Sequence, residues 1–180
     1  MLGNDVIRRL RYALDLRDRH VAEIARKGGS PVTEAEVKRF LLRDYEDDYL
    51  VCSDEVLTGF LDGLILHLRG EREGGPDKTK AVRVLANNNN RVLRKLRIAF
   101  DQKDEGMLAL LEQGGFRMSK SELSALFRKE AHKHYRECGD QVLRYFIVGL
   151  TKERRPDVVS EPPVEPTEEI SDTGPDAAKA

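Results

Sequence analysis

The stretch from Asn4 to Leu64 recurs without a gap from Asn90 to Leu150, 86 positions later, and 19 of its 61 residues are identical in the two places. Chance would supply about four at ordinary composition. This duplication constrains the fold more than any other feature. One supersecondary unit is used twice, so two copies of the same element order must bury matching apolar faces.

Periodicity within each copy is helical, in four segments separated by recognisable stops. The first is expected over Asp5 to Leu16, where Val6, Leu10, Ala13 and Leu14 share a face that Val92, Leu96, Ala99 and Phe100 repeat. The second uses Val21, Ile24 and Ala25, or Met107, Leu108, Leu110 and Leu111, and stops at Gly28-Gly29 or Gly114-Gly115. Paired glycines there supply the left-handed residue that ends a helix. The third opens on a capping box, Thr33 with Glu36, flanked by Val32 and Val37 as a hydrophobic staple; Ser119 with Glu122 and Met118 with Leu123 repeat both devices.

The fourth segment starts near Asp54 or Asp140, either of which suits a helix N-terminus. It is the most apolar of each copy: Val56, Leu57, Phe60, Leu61, Leu64 and Ile65 answer to Val142, Leu143, Phe146, Ile147 and Leu150. Gly63 and Gly149 lie inside it despite a cost of about 1 kcal/mol relative to Ala, which predicts close approach of another helix. The expected architecture is all-α: two tandem four-helix repeats, residues 1–70 and 87–155, packed together through their fourth helices.

Between the repeats, residues 71–86 contain Gly74, Gly75 and Pro76 among charges and read as a linker. Residues 156–180 interleave five prolines with acids and read as a disordered acidic tail, unable to bury enough apolar area to offset the entropy of ordering. The formal net charge of −1 conceals an uneven distribution. Residues 1–70 carry 11 Lys/Arg against 13 Asp/Glu, residues 87–155 carry 15 against 9, and residues 156–180 carry 1 against 7. The second repeat is basic and the tail acidic.

No window approaches the roughly 20 apolar residues that span a bilayer. Asp5, Arg8, Arg9 and Arg11 interrupt the apolar run that a secretory signal needs. A cytoplasmic protein with no membrane partner is the expectation. Cys52 and Cys138, its two cysteines, occupy equivalent positions and read as reduced thiols with one recurring local role.

Certain strings are distinctive: Asn4-Asp5-Val6 with Arg11-Tyr12-Ala13-Leu14, Asn88-Asn89-Asn90 with Leu96-Arg97-Ile98-Ala99-Phe100, and Glu137-Cys138-Gly139-Asp140-Gln141 with Leu143-Arg144-Tyr145-Phe146. On these residues the chain resembles the YehS-like family of bacterial proteins, built from two repeats of roughly 70 residues and of unknown function. The resemblance covers about residues 1–155. It implies the two-repeat helical fold and brings no catalytic residues with it.

Polar residues present in both copies are the natural candidates for function. The first helix supplies Arg8, Arg11, Asp15 and Asp18, matched by Arg94, Arg97, Asp101 and Asp104, in a stripe beside the apolar face. Such a stripe forms either an Arg-carboxylate network at the core edge or a set of phosphate ligands. Helices two and three across the glycine pair have the outline of a helix-turn-helix, and in the second copy Lys120, Arg128 and Lys129 decorate the latter helix with Arg117, Lys133 and Arg136 nearby. His132, His134 and Cys138 cluster in sequence, without the four-ligand spacing of a structural zinc site. Each cysteine also precedes a helix N-terminus, where a dipole lowers a thiol pKa.

Phosphate-loop, dinucleotide and nucleophile-elbow motifs are absent from the sequence. The expected work is therefore binding rather than catalysis, with no cofactor and no metal. Nucleic acid, RNA before DNA, is the first expected partner, with Arg94, Arg97, Lys120, Arg128 and Lys129 as candidate phosphate contacts. A protein partner seated in a groove between the repeats is the alternative.

Overall fold

The computed structural model describes residues 1–70 and 88–158. Among these residues the regular structure is helical throughout: α1 (Gly3–Ala13), α2 (Asp18–Lys27), α3 (Glu34–Leu41), α4 (Asp54–Arg69), α5 (Asn89–Ala99), α6 (Asp104–Gly114), α7 (Lys120–Leu126) and α8 (Asp140–Arg154). Helices α1–α4 belong to the first repeat and α5–α8 to the second. The linker expected over 71–86 lies outside the described residues, as does the tail beyond Val158. None of these helices is long and apolar enough to cross a membrane.

Local chemistry sets the boundaries. α1 stops at Ala13, before the Leu16 expected from periodicity, because Asp15 adopts a left-handed φ of 51° and Asp101 repeats this with 53°. Leu16 N–H then donates to Arg11 O at 2.9 Å and Gln102 N–H to Arg97 O at 3.0 Å, closing each helix end. Aspartate tolerates this conformation better than most residues, so an acid performs what glycine usually does. Glycine does the same at the ends of α2 and α6, where Gly29 has φ 90° and Gly115 φ 104°. Both capping boxes form: Thr33 N–H donates to Glu36 at 2.8 Å and Ser119 N–H to Glu122 at 2.9 Å. The caps of the fourth helices are Ser53, whose hydroxyl accepts from Val56 N–H, and Gly139; Asp54 and Asp140 stand in the first turn instead.

Packing brings α4 onto α2 and α8 onto α6 at backbone contact distance. A Cβ at Gly63 would overlap the carbonyl oxygen of Ile24, and one at Gly149 that of Leu110. Gly28 and Gly114 meet the facing helix equally closely, at Gly59 O and Tyr145 O. The expected close approach is thus that of helix two.

The fourth helices supply the join between the repeats, as expected, but against the first helices rather than chiefly against each other. Each fourth helix packs on the first helix of the other repeat, α4 on α5 and α8 on α1, more extensively than on its own first helix. The Met1 amine reaches Asp140 at the start of α8, while Arg155 just past its end reaches Tyr12 and Asp15. The helices of this seam therefore run in the same direction. One face of each fourth helix is consumed by the glycine contact, leaving the flank to cross the repeat boundary. A single apolar cluster results, from Val6, Leu10 and Phe60 to Leu96, Phe146 and Leu150, all fully buried.

Candidate functional site

Asn4 and Asn90 are buried asparagines whose side chains are fully engaged with backbone groups. Asn4 Nδ2 donates to Phe40 O at 3.0 Å and Leu50 O at 2.7 Å, and its Oδ1 accepts from Cys52 N–H at 2.8 Å. Asn90 repeats the set with Leu126 O, Arg136 O and Cys138 N–H, each at 2.9 Å. Each asparagine ties the first helix to the end of the third and to the irregular stretch before the fourth. Beneath it sits the cysteine. Burial pushes both the Cys52 and the Cys138 thiol up to about 12, with Asp54 or Asp140 adding to the rise. Covered in this way each thiol is a packing group, and burial outweighs the lowering that its place before a helix N-terminus would give.

The arginine stripe is divided between two tasks. Arg11 Nε pairs with Asp18 at 2.6 Å, and Arg97 pairs with Asp104 at 2.8 Å, as an edge network requires. Arg8 donates to Leu42 O at 2.7 Å, and Arg94 to Phe127 O, satisfying carbonyls at the end of helix three. Both Arg94 and Arg97 also lie over the Phe127 ring, at 5.7 and 4.9 Å from its centroid. Asp15 and Asp101 turn away from their own repeats. Asp101 pairs with Arg69, and Asp15 with Arg155 at 3.6 Å.

Those two pairs form a reciprocal clamp that the sequence reading missed. Arg69 also donates to Ile98 O at 3.3 Å and Arg155 to Tyr12 O at 2.9 Å. All three correspondences keep the offset of 86: Arg69 with Arg155, Asp15 with Asp101, Tyr12 with Ile98. The signal was available, because the matching arginines lie just beyond the ungapped window. Around Arg155 a cleft of about 560 Å³ opens where the repeats meet, lined by Arg11, Tyr12, Asp15, Leu16, Arg17, Asp18, Arg19 and Glu34.

The remaining candidates do not form one patch. Lys120 stands at the start of α7 with its amine 3.0 Å from Glu105. Arg128 lies past the other end of α7, 3.3 Å from His132 Nδ1, and Lys129 beside it is exposed. His132 and His134 have ring centroids 5.7 Å apart, but Cys138 is buried away from them. Among the described residues no three His, Cys, Asp or Glu side chains gather as metal ligands.

The loop that carries Lys129 has a twin of opposite charge. His132 N–H donates to Lys129 O and Tyr135 N–H to His132 O, both at 2.8 Å; Glu46 N–H donates to Arg43 O at 3.0 Å and Tyr49 N–H to Glu46 O at 2.9 Å. The backbone turns are equivalent. Yet residues 42–51 hold Asp44, Glu46, Asp47 and Asp48 against Arg43, whereas residues 128–137 hold Arg128, Lys129, Lys133 and Arg136 against Glu130 and Glu137. Glu130 is itself drawn to Arg91 at 3.6 Å.

A family model described as a protein of unknown function (DUF1456) matches residues 3–70 and again 89–155. The uncharacterized protein YehS of Escherichia coli (strain K12) is 41% identical over 150 residues, covering 83% of this chain and 94% of that protein. No solved structure matches. Two matches of one family model, falling on the two helical repeats, and a relative at this identity over nearly its full length mean that the chain belongs to the DUF1456 family.

Proposed function

We propose that this chain is a non-enzymatic binding protein whose partner is RNA, held through its phosphates on the loop between α7 and α8. One observation carries the reading: two loops with the same turns carry opposite charge, and the basic one keeps Lys129, Lys133 and Arg136 exposed. A solvated cluster of cations on a fixed backbone favours a polyanion through release of its counterions. Arg128 and Lys129 belong to this surface. Arg94 and Arg97 support it from beneath through Phe127, and Lys120, already paired with Glu105, lies at the far end of α7.

A single strand suits the surface better than duplex DNA. α7 has seven residues and so spans about 10 Å, too short to lie along a major groove and present several side chains to base edges. A loop, by contrast, can follow a flexible backbone.

Fluorescence titration of the full chain with a short unstructured RNA over a series of salt concentrations tests the proposal. Affinity is expected to fall linearly on logarithmic axes, and the double variant Lys129→Ala, Lys133→Ala should flatten the slope by about 1.4, near 0.7 per lost phosphate contact. No binding at low salt, or an unaltered slope in the double variant, removes the reading. The competing idea of a partner helix between the repeats has less to support it, since both seams are filled by α1 on α8 and α4 on α5 and the cleft beside Arg155 is polar.

A further inference from the structure

The offset of 86 relates the two inter-repeat seams residue by residue, and at one level their charges do not correspond. In the α4–α5 seam Lys95 Nζ donates to Asp62 Oδ1 at 2.7 Å, with both side chains largely covered. The equivalents in the α1–α8 seam are Arg9 and Val148, so the cation persists while its acid is gone. Thr58 of α4 is replaced at the equivalent position of α8 by Arg144. In one seam the cation is paired at this level, whereas the other carries two arginines, one on each of its packed helices, and no such pair.

Neither arginine has an acid within ion-pair distance among the described residues, and both are half-buried. Arg144 Nε is buried and has no hydrogen-bond partner. The proton of Arg9 is held less firmly than usual, first because of burial and next because of Arg144, with Asp5 opposing. The nearby acids, Asp5 and Asp140, act on Arg9 and Arg144 only from beyond ion-pair distance, because their oxygens are held by other partners. Asp5 is taken by Arg8 at 2.8 Å, and Asp140 accepts from Asn89 at 2.7 Å and from the Met1 amine. Two planar donor forks, partly desolvated and without an ion pair of their own, suit a tetrahedral oxyanion, whereas a core-edge cation without a ligand is ordinarily paired as Lys95 is.

We propose that the α1–α8 seam is a binding site for one phosphate group, free or as a monoester, held between Arg9 and Arg144. The site is on different elements from the α7–α8 loop and stands whether or not RNA is the partner. A bound phosphate would complete the charge balance that Asp62 supplies in the other seam.

Calorimetric titration and thermal melting of the full chain, at ionic strength held constant with chloride, test this with inorganic phosphate and with glycerol phosphate as separate probes. Saturable binding is expected, with a melting temperature raised by phosphate beyond the chloride control. Arg9→Gln and Arg144→Gln should each weaken binding by about tenfold or more, as expected for losing hydrogen bonds to a charged group, while Lys95→Gln in the other seam leaves it unchanged. Arg144→Lys keeps the charge and the packing but loses the fork, so it tests the site even if the glutamine variant folds poorly; it too should bind more weakly. Tighter binding of glycerol phosphate than of inorganic phosphate identifies a monoester site, and the reverse a site for the free ion. Stabilisation no greater than that by chloride, or wild-type affinity in Arg9→Gln and Arg144→Lys, overturns the proposal.

Discussion

Asn4 and Asn90 show how much a single polar residue can hold in a mostly apolar fold. Each is nearly inaccessible, at 2% and 7% exposure, and uses both amide hydrogens and its oxygen on backbone groups that no helix satisfies. Replacing one by alanine leaves a buried N–H and two carbonyls without partners. Asn4→Ala is therefore expected to lower stability by about 2–4 kcal/mol, since each orphaned buried group costs about 1–3 kcal/mol less whatever water can enter. Asn4→Asp should be nearly as harmful, because a carboxylate cannot donate to Phe40 O and Leu50 O. Chemical denaturation of the two variants measures this, and a loss below about 1 kcal/mol for either would mean that the asparagine is not the pin described. Nothing in hydrophobic periodicity marks these residues. The signal was their identity at matching positions beside Val6 and Val92, which read as part of a family string rather than as a buried hydrogen-bonding centre.

Individual helices are positioned by glycine and by their caps. Gly63 of α4 and Gly149 of α8 touch carbonyl oxygens of the facing helix, and a backbone oxygen cannot rotate aside as a side chain would. Gly63→Val is expected to separate α2 from α4 and cost about 3 kcal/mol or more through overpacking, measured as a drop in melting temperature with loss of dispersed methyl signals. The caps respond to pH. Hydrogen bonds from Thr33 hold the Glu36 carboxyl below its ordinary pKa, and those from Ser119 do the same for Glu122. A carboxylate depressed in the folded state contributes stability above its unfolded pKa of about 4.3 and loses that contribution as pH falls through the folded value. Melting temperature should therefore decline on acidification through the carboxylate range, and the decline should be shallower in Thr33→Val, where the hydroxyl that depresses Glu36 is gone. An equal slope in that variant would assign acid sensitivity to other groups.

At the scale of the whole molecule the two repeats behave as the subunits of a twofold dimer joined in one chain. The same surfaces meet twice: first helix on fourth helix in both seams, and an arginine just beyond or at the end of each fourth helix reaching the carbonyl and the aspartate that end the partner's first helix. Such an isologous contact does not depend on the covalent connection. Cleavage of the chain between residues 70 and 88 should therefore leave the halves associated, eluting together at the volume of the intact protein. Separation of the halves at micromolar concentration would show that the seams are weaker than their shared apolar core implies. The charge inversion between the two loops also belongs to this scale, because symmetry makes the backbones alike and leaves only side chains to distinguish one end of the molecule from the other.

What this sequence determined unaided is the fold class, the number of helices in each repeat and most of their limits, because these follow from local periodicity, from capping boxes and from glycine pairs read within a few residues. The duplication supplied the architecture at the level of two units, and the glycines in α4 and α8 foretold a close helix contact without saying which helix makes it. Tertiary structure alone decided that the first helix of one repeat lies on the fourth of the other, that Asp15 and Asp101 face the opposite repeat, and that Arg9 and Arg144 share a seam. A repeat pattern is satisfied equally by partners within a copy and by the same partners exchanged between copies. Only the packed arrangement distinguishes the two, since it depends on which flank of the fourth helix remains after the glycine face has met helix two.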